Sequence, residues 1–433
     1  MIDLPNYDTP PSAPSTGRTV LFSDGDGNLA SKDATGNVKT YTPQSEINDT
    51  MVYGVRYDKV LDEMTPGILV SGAFVATDYS NFPIQELCGR GLLTTAGVWT
   101  KLNKYDSTKL EDGNTATIDG SAGQVMVQIP RFYQVIKEIT DYQYFLISLQ
   151  SFTFDGTAAW IPPAFGDDAF RYIGAFNGVA LTESVSASVV SAVIDTSAYA
   201  TNTTPNPFTT RTRAQFRAQQ QTGFFQYSWG LYELVRMLFV TKYKTWDSQT
   251  VLPGFTEGGT FDYAKTTAAG ATVGLGDFDG SIYDDTNSWY SANSFLGIEN
   301  FYGNVYDFLD GINIDNTAGL GNVYVCNTPA NFADDTSSNY VDTGLAPAFG
   351  DVDDYQKYIY ATGKDCPFYP DTLGAGADSA SYQTDYNYNA AGGWRVLFCG
   401  GDLSNGTQAG LAFLYADYAS SSSHSYISVR SAA

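Results

Sequence analysis

The sequence holds one histidine, His424, in the stretch "SSSSHSY". A zinc-protease helix needs two histidines, and a multi-histidine metal centre needs more, so neither chemistry is open to this chain. A histidine acting as general base needs a fixed orienting partner, which a serine-rich loop does not supply. The four cysteines, Cys88, Cys326, Cys366 and Cys399, are dispersed, without a CxxC pair for zinc or redox work. Cys88 and Cys399 lie in apolar runs and read as buried thiols. Two acidic stretches invite a calcium reading. "DGDGN", starting at Asp24, opens like an EF-hand loop, but Leu29 and Thr35 stand where that loop needs glycine and glutamate. "GDFDGSIYDD", from Gly276 to Asp285, gathers carboxylates without calcium-loop spacing. The expectation is a protein with no metal, no cofactor and no catalytic residues.

What remains is the chemistry of surface contact. From Gly392 to Ala433, three apolar runs (Trp394–Phe398, Gly410–Tyr415 and Tyr426–Val429) alternate with loops of Ser, Asn, Asp, Gly, Gln, Thr and Tyr. Tyrosine offers a large amphipathic contact at low entropic cost, and small polar residues adapt their hydrogen bonds, which is the composition of antibody paratopes. The same composition also suits loops that only keep a β protein soluble. Strand alternation points Trp394, Val396, Phe398, Leu411 and Phe413 into a core. It leaves Asp402, Ser404, Asn405, Thr407, Gln408, Tyr415, Asp417, Tyr418, His424 and Tyr426 as candidate ligand-binding residues on an exposed face.

The elements that would carry these loops are legible in outline. Residues 1–18 hold Pro5, Pro10, Pro11 and Pro14 and read as an extended arm. "TVLFSDGDGNLASKDATGNVKTY" then reads as a meander of three small strands, too little to stand alone. A larger unit begins near residue 51. "FPIQELCGRGLL" places Ile84, Leu87 and Cys88 on one helical face before helix-weakening glycines. "GQVMVQIPRFYQVI" alternates as a strand through Val125, Val127 and Ile129. "SWGLYELVRMLFVTKYKTW" predicts the chain's clearest helix, with Leu231, Leu234, Val235, Leu238 and Phe239 at helical spacing. Ser228 can cap it, and Lys242 and Lys244 suit its far end. Residues 250–292 and 328–390 are rich in Gly, Asp, Ser, Thr and Tyr and read as long loops or insertions, with short strands such as "GNVYVCN" between them.

Charge narrows the partners. With 23 basic against 47 acidic residues the net charge is −24, which repels nucleic acid and suits a soluble, exposed surface. No run of about 18 apolar residues offers a membrane span, and the first residues lack the apolar core of a secretory signal. The expected route is synthesis in a cytoplasm, then assembly or lysis.

Several segments together resemble a known family: "VYGVRYD", "GQVMVQIPRFY", "WGLYELVRMLFVTKYKTWDSQ", "GIENFYGNVYDFLDGINI" and the whole of Gly392–Ala433. They look like the C-type-lectin-fold variable proteins of phages, including those diversified by retroelements, and like tail or head fibre proteins of crAss-like gut phages. The resemblance runs over residues 51–433. It implies an α+β fold: a C-type-lectin-like domain with long loop insertions, a twisted antiparallel sheet flanked by two helices, and ligand-binding loops in 392–433. Residues 1–50 would be a short β-rich arm that attaches the protein to other virion proteins and joins copies, as a homo-trimer. The implied place is the virion surface, after assembly in a bacterial host. The implied ligand is a host surface protein or glycan, with no nucleic acid and no membrane insertion. The calcium-binding motifs of sugar-binding C-type lectins are absent. The cysteine pair of formylglycine-generating enzymes is absent too, since Cys366 and Cys399 lie 33 positions apart. The alternatives are a purely structural capsid or head-fibre decoration protein and a surface-polysaccharide depolymerase, which would need paired carboxylates.

Overall fold

A computed structural model describes residues 20–23, 29–32, 38–41, 50–180, 188–193, 211–260, 265–318, 321–346, 352–424 and 426–433. The proline-rich stretch before residue 19 and the turns "SDGDGN" and "ATGN" fall largely outside them. The chain divides into two compact units, residues 1–49 and 50–433. In the first, strands β1 (Val20–Ser23), β2 (Leu29–Lys32) and β3 (Val38–Tyr41) form an antiparallel meander.

The second unit overturns the α+β expectation. Strand makes up 38% of the structure and helix only 12%. Two sheets begin the unit. One has five strands in the order β11-β12-β4-β5-β6, where β4 is Tyr53–Asp58, β5 Glu63–Val70, β6 Ala73–Ala76, β11 Tyr133–Ile139 and β12 Tyr142–Ser148. The other has seven strands and includes β7 (Gly89–Leu93), β8 (Trp99–Asn103), β9 (Asp106–Leu110) and β10 (Gln124–Pro130). A third sheet, built on Tyr306–Asp315 and Trp394–Cys399, carries the C-terminal region.

A C-type-lectin arrangement needs two flanking helices, and only one long helix is present among the described residues. The second expected helix is a single 3-10 turn, Gln85–Leu87. Its predicted face is broken, because Ile84 and Cys88 are buried while Leu87 is 42% exposed. The glycines taken as helix enders belong to β7. A Cβ on Gly91 would sit 2.4 Å from the Trp99 ring, so glycine there admits a cross-strand indole.

The long helix, Trp229–Tyr243, is the hub of the core rather than a flank. Leu231, Leu234, Val235, Leu238 and Phe239 are buried as their spacing predicts, and Tyr232 and Arg236 on other faces are buried too. A helix buried on every face belongs inside a large core. Its polar groups tie turns of the C-terminal region to it: Tyr232 donates to the Leu411 carbonyl at 2.7 Å and Arg236 to the Phe368 carbonyl at 2.8 Å. Ser228 sits at the N-cap but makes no side-chain cap bond, and Lys244 ends the helix in the left-handed conformation.

Candidate functional site

The C-terminal sheet carries one aromatic face from the core out to solvent. The strands Tyr386–Asn389 and Leu414–Ala416 run parallel, setting Tyr388 against Tyr415. Tyr415 also faces Phe398 on Trp394–Cys399, and Phe398 faces Phe308 on Tyr306–Asp315. On the other side Tyr355 faces Tyr386, two residues from Tyr388 and so on the same side of its strand. Phe308 and Phe398 are fully buried, whereas Tyr415, Tyr388, Tyr386 and Tyr355 are half-buried.

Beyond the strands the rings continue through the last loop. Successive centroid separations are 5.0 Å from Tyr355 to Tyr386, 4.7 Å to Tyr388, 4.7 Å to Tyr415, 5.3 Å to Tyr418, 4.6 Å to His424 and 4.9 Å to Tyr426. Tyr415 and Tyr418 are stacked, as are His424 and Tyr426, and the hydroxyls of Tyr418 and Tyr426 lie 2.8 Å apart. All seven rings are partly exposed. His424 is therefore fixed between two tyrosines, not swinging in a loop, and burial lowers its pKa. Burial raises the phenol pKa of Tyr415, Tyr388 and Tyr386, so these rings stay uncharged at neutral pH.

The loop 400–409 forms one border and is preformed. Asp402 is buried, which corrects its expected place on the exposed face. Its carboxylate accepts from the Ser404 amide at 2.8 Å and hydroxyl at 2.7 Å, and its own amide donates to Asn405 at 2.7 Å. Asp402 thus shapes the loop, and Ser404 is exposed on it. Gln408 accepts from the Tyr388 hydroxyl at 2.9 Å, and the Thr407 hydroxyl lies 3.4 Å from that of Tyr355. Asp417, partly exposed, adds to the upward shift of the Tyr415 phenol.

Of the candidate residues, Thr407, Gln408, Tyr415, Asp417, Tyr418, His424 and Tyr426 thus meet along one face. Tyr355, Tyr386 and Tyr388 complete it, and sequence reasoning missed them inside "long loops". The signal was there: in "DYNYNA" tyrosine alternates with asparagine or aspartate at the strand period. Of the expected core residues, Val396, Phe398, Leu411 and Phe413 are buried, but Trp394 is half-exposed against Tyr324.

In the acidic stretch from Gly276 to Asp285, three of the four carboxylates are engaged within the protein. Asp277 accepts from the Arg90 amide at 2.7 Å, Asp279 pairs with Lys242 at 2.6 Å, and Asp284 caps its own turn. Among the described residues no group of three or more His, Cys, Asp or Glu side chains could hold a metal ion. All four cysteines are free and buried.

Burial raises the pKa of two carboxyls behind the face. Asp385 is held by the Ala412 amide at 2.6 Å, with Arg236 offsetting only part of the effect of burial, and Asp402 is held by Ser404. In the unfolded chain both titrate near 4. As pH falls from neutral the folded protein takes up these protons first, so stability rises on acidification and is lost as pH climbs through the folded values. His424 opposes this, since its depressed pKa makes its share vanish as pH falls. Burial raises the carboxyl pKa of Glu233, Asp277, Glu299 and Asp307 in the same sense. With six carboxyls against one imidazole, and relief of the −24 charge besides, the melting temperature is expected to be higher at pH 5.5 than at 7.5, by about 2 °C or more. Thermal scans check this, and Asp385→Asn should flatten the dependence. No protein-family model matches the chain and no curated protein matches it, so what this face does must follow from its own geometry.

Proposed function

We propose that this chain is displayed on the surface of a phage particle, attached through residues 1–50, and that the tyrosine face holds a ligand on the host cell, a surface protein or a glycan. The observation that carries the binding role is the unbroken run of seven half-exposed rings from Tyr355 to Tyr426. Rings already packed against one another lose little further freedom when a ligand arrives, so more of the contact energy is left for affinity. The hydroxyls along the run supply neutral hydrogen bonds, and the acidity of the whole chain discourages indiscriminate contact with anionic surfaces. The virion setting rests on the sequence resemblance alone and does not need the lectin fold.

The test is adsorption of phage carrying Tyr388→Ala, Tyr418→Ala or both. At least one single change should weaken attachment by about 2 kcal/mol, roughly 30-fold, with little change in melting. Unchanged adsorption by the folded double variant would leave a structural decoration protein. Release of oligosaccharide from host capsule by the purified protein would instead make it a depolymerase.

A further inference from the structure

The edge formed by β6 differs from the other sheet edges of the large unit. Among the described residues, terminal strands of four residues or more otherwise carry the charges or proline that discourage edge pairing. Asp106 and Lys109 lie in β9, Lys137 and Glu138 in β11, Asp284 in Gly280–Asp284, and Pro370 with Asp371 in Pro370–Leu373. Strand β6 reads Ala73-Phe74-Val75-Ala76, and no charged residue occurs from Met64 to Thr77. Val75 is 43% exposed, and Val70 beside it 48%.

The backbone of this edge is held ready to pair. Ser71 and Gly72 both take positive φ, 50° and 83°, making the two-residue turn that locks β5 to β6 from Val70↔Ala73 to Gly67↔Ala76. The Thr77 amide donates to the Pro66 carbonyl at 3.1 Å. By antiparallel alternation Val75 and Ala73 also bond inward, so the N–H and C=O groups of Phe74 and Ala76 point away from β5. Phe74 lies over Gly67, where a Cβ would come within 2.4 Å of its ring, and packs edge-on to Tyr144 at 5.5 Å.

We propose that β6 pairs antiparallel with β6 of a second copy of this chain, across a twofold axis, joining the two five-stranded sheets into one. An antiparallel strand pair is self-complementary: with Val75 on the axis, the outward groups of Phe74 meet those of Ala76 on the second copy, and the reverse. Charge selects the occupant. Two copies that each carry −24 repel over most of their surface and can approach where no carboxylate stands, which is the segment 64–77. A basic partner would gain nothing at an edge without acids. Four residues make a small contact, so the pair is weak in solution and gains from copies held close together on a particle. A threefold ring cannot use this contact, since it must set β6 against a different surface. The pairing is therefore separate from the trimer expected of residues 1–50.

Ala76→Pro tests it in the full-length chain. Proline removes the outward N–H while leaving every bond to β5, and edge strands tolerate it. Sedimentation over a concentration series should show wild-type self-association, and hydrogen exchange at Phe74 and Ala76 should slow about tenfold or more as the associated fraction grows. Ala76→Pro should abolish that association without lowering the melting temperature. Val75→Lys should do the same by opposing two charges across the axis, and it decides alone if the proline variant does not fold. A wild-type chain that stays monomeric to about 1 mM overturns the proposal. So does association that ignores both substitutions and leaves the two amides unprotected.

Discussion

Replacing Arg430 with methionine is expected to destabilise the large unit by about 3–5 kcal/mol at neutral pH. Arg430 is 1% exposed and is the knot between its sheets. Its guanidinium donates to the carbonyls of Gly174 at 2.9 Å, Glu299 at 3.0 Å and Asn300 at 3.1 Å, and to the Asp307 carboxylate at 3.2 Å. Gly174 lies in the seven-stranded sheet and Asp307 in the C-terminal one. Methionine fills much of the volume but donates nothing. Three buried carbonyls lose a partner, and Asp307 keeps only the Asn177 amide at 3.0 Å. Burial already pushes the Asp307 pKa up against the pull of Arg430. Without that pull the carboxyl protonates more readily still, so the loss should be smaller at pH 5 than at pH 7.5. The double variant Arg430→Met with Asp307→Asn should recover part of the loss, because a buried charge without its partner costs more than no charge at all. Denaturant unfolding of the three proteins measures this. A single-variant cost below about 1 kcal/mol would mean that the guanidinium is not what joins the sheets.

The sequence was readable where hydrophobic period and structure agree, and misread where tyrosine or glycine carried the information. Leu231, Leu234, Val235, Leu238 and Phe239 wrote the long helix plainly, because buried side chains at helical spacing have few other uses. Its neighbours Tyr232 and Arg236 hid the fact that the helix is enclosed on every side, since both look like residues of a wet face. In Trp394–Cys399 the strand was legible but its alternation was not. Val396, Leu397, Phe398 and Cys399 are all buried, as in a strand covered on both faces, so counting every second residue inward found Val396 and Phe398 but passed over Leu397. The segment 328–390 looked like loop because its strands are written in Tyr, Asn, Asp and Gln. Asp354–Ile359, Pro370–Leu373 and Tyr386–Asn389 are held by pairing with neighbours far along the chain, and no local apolar pattern announces that. Three of the seven rings of the candidate face, Tyr355, Tyr386 and Tyr388, were lost for this reason. Asp402 went astray for another: a polar side chain that folds back on its own loop has the same sequence appearance as one that reaches a ligand.

Phe398→Ala is where core and face should fail together. The ring is fully buried, 4.6 Å from Phe308 on one side, 6.1 Å from Tyr415 and 5.7 Å from Tyr418 on the other. Truncation removes the transfer energy of the ring and leaves a cavity beneath the exposed tyrosines, a cost of about 3–5 kcal/mol. Phe398→Leu keeps much of the volume and should cost about 1.5 kcal/mol or less. If the tyrosine face binds because its rings are held in fixed positions, Phe398→Ala must also weaken attachment below its melting temperature, where the unit is still folded. Tyr415 and Tyr418 would settle toward the vacated space, and the step from Tyr388 to His424 would be broken. Tyr418→Ala provides the contrast, since it removes a contact while leaving the floor intact and should lower attachment with melting unchanged. Melting curves paired with phage adsorption separate the two effects. If Phe398→Ala melts early yet adsorbs like wild type at low temperature, the rings do not need their floor, and the ligand contact lies in the polar loop 404–408 instead.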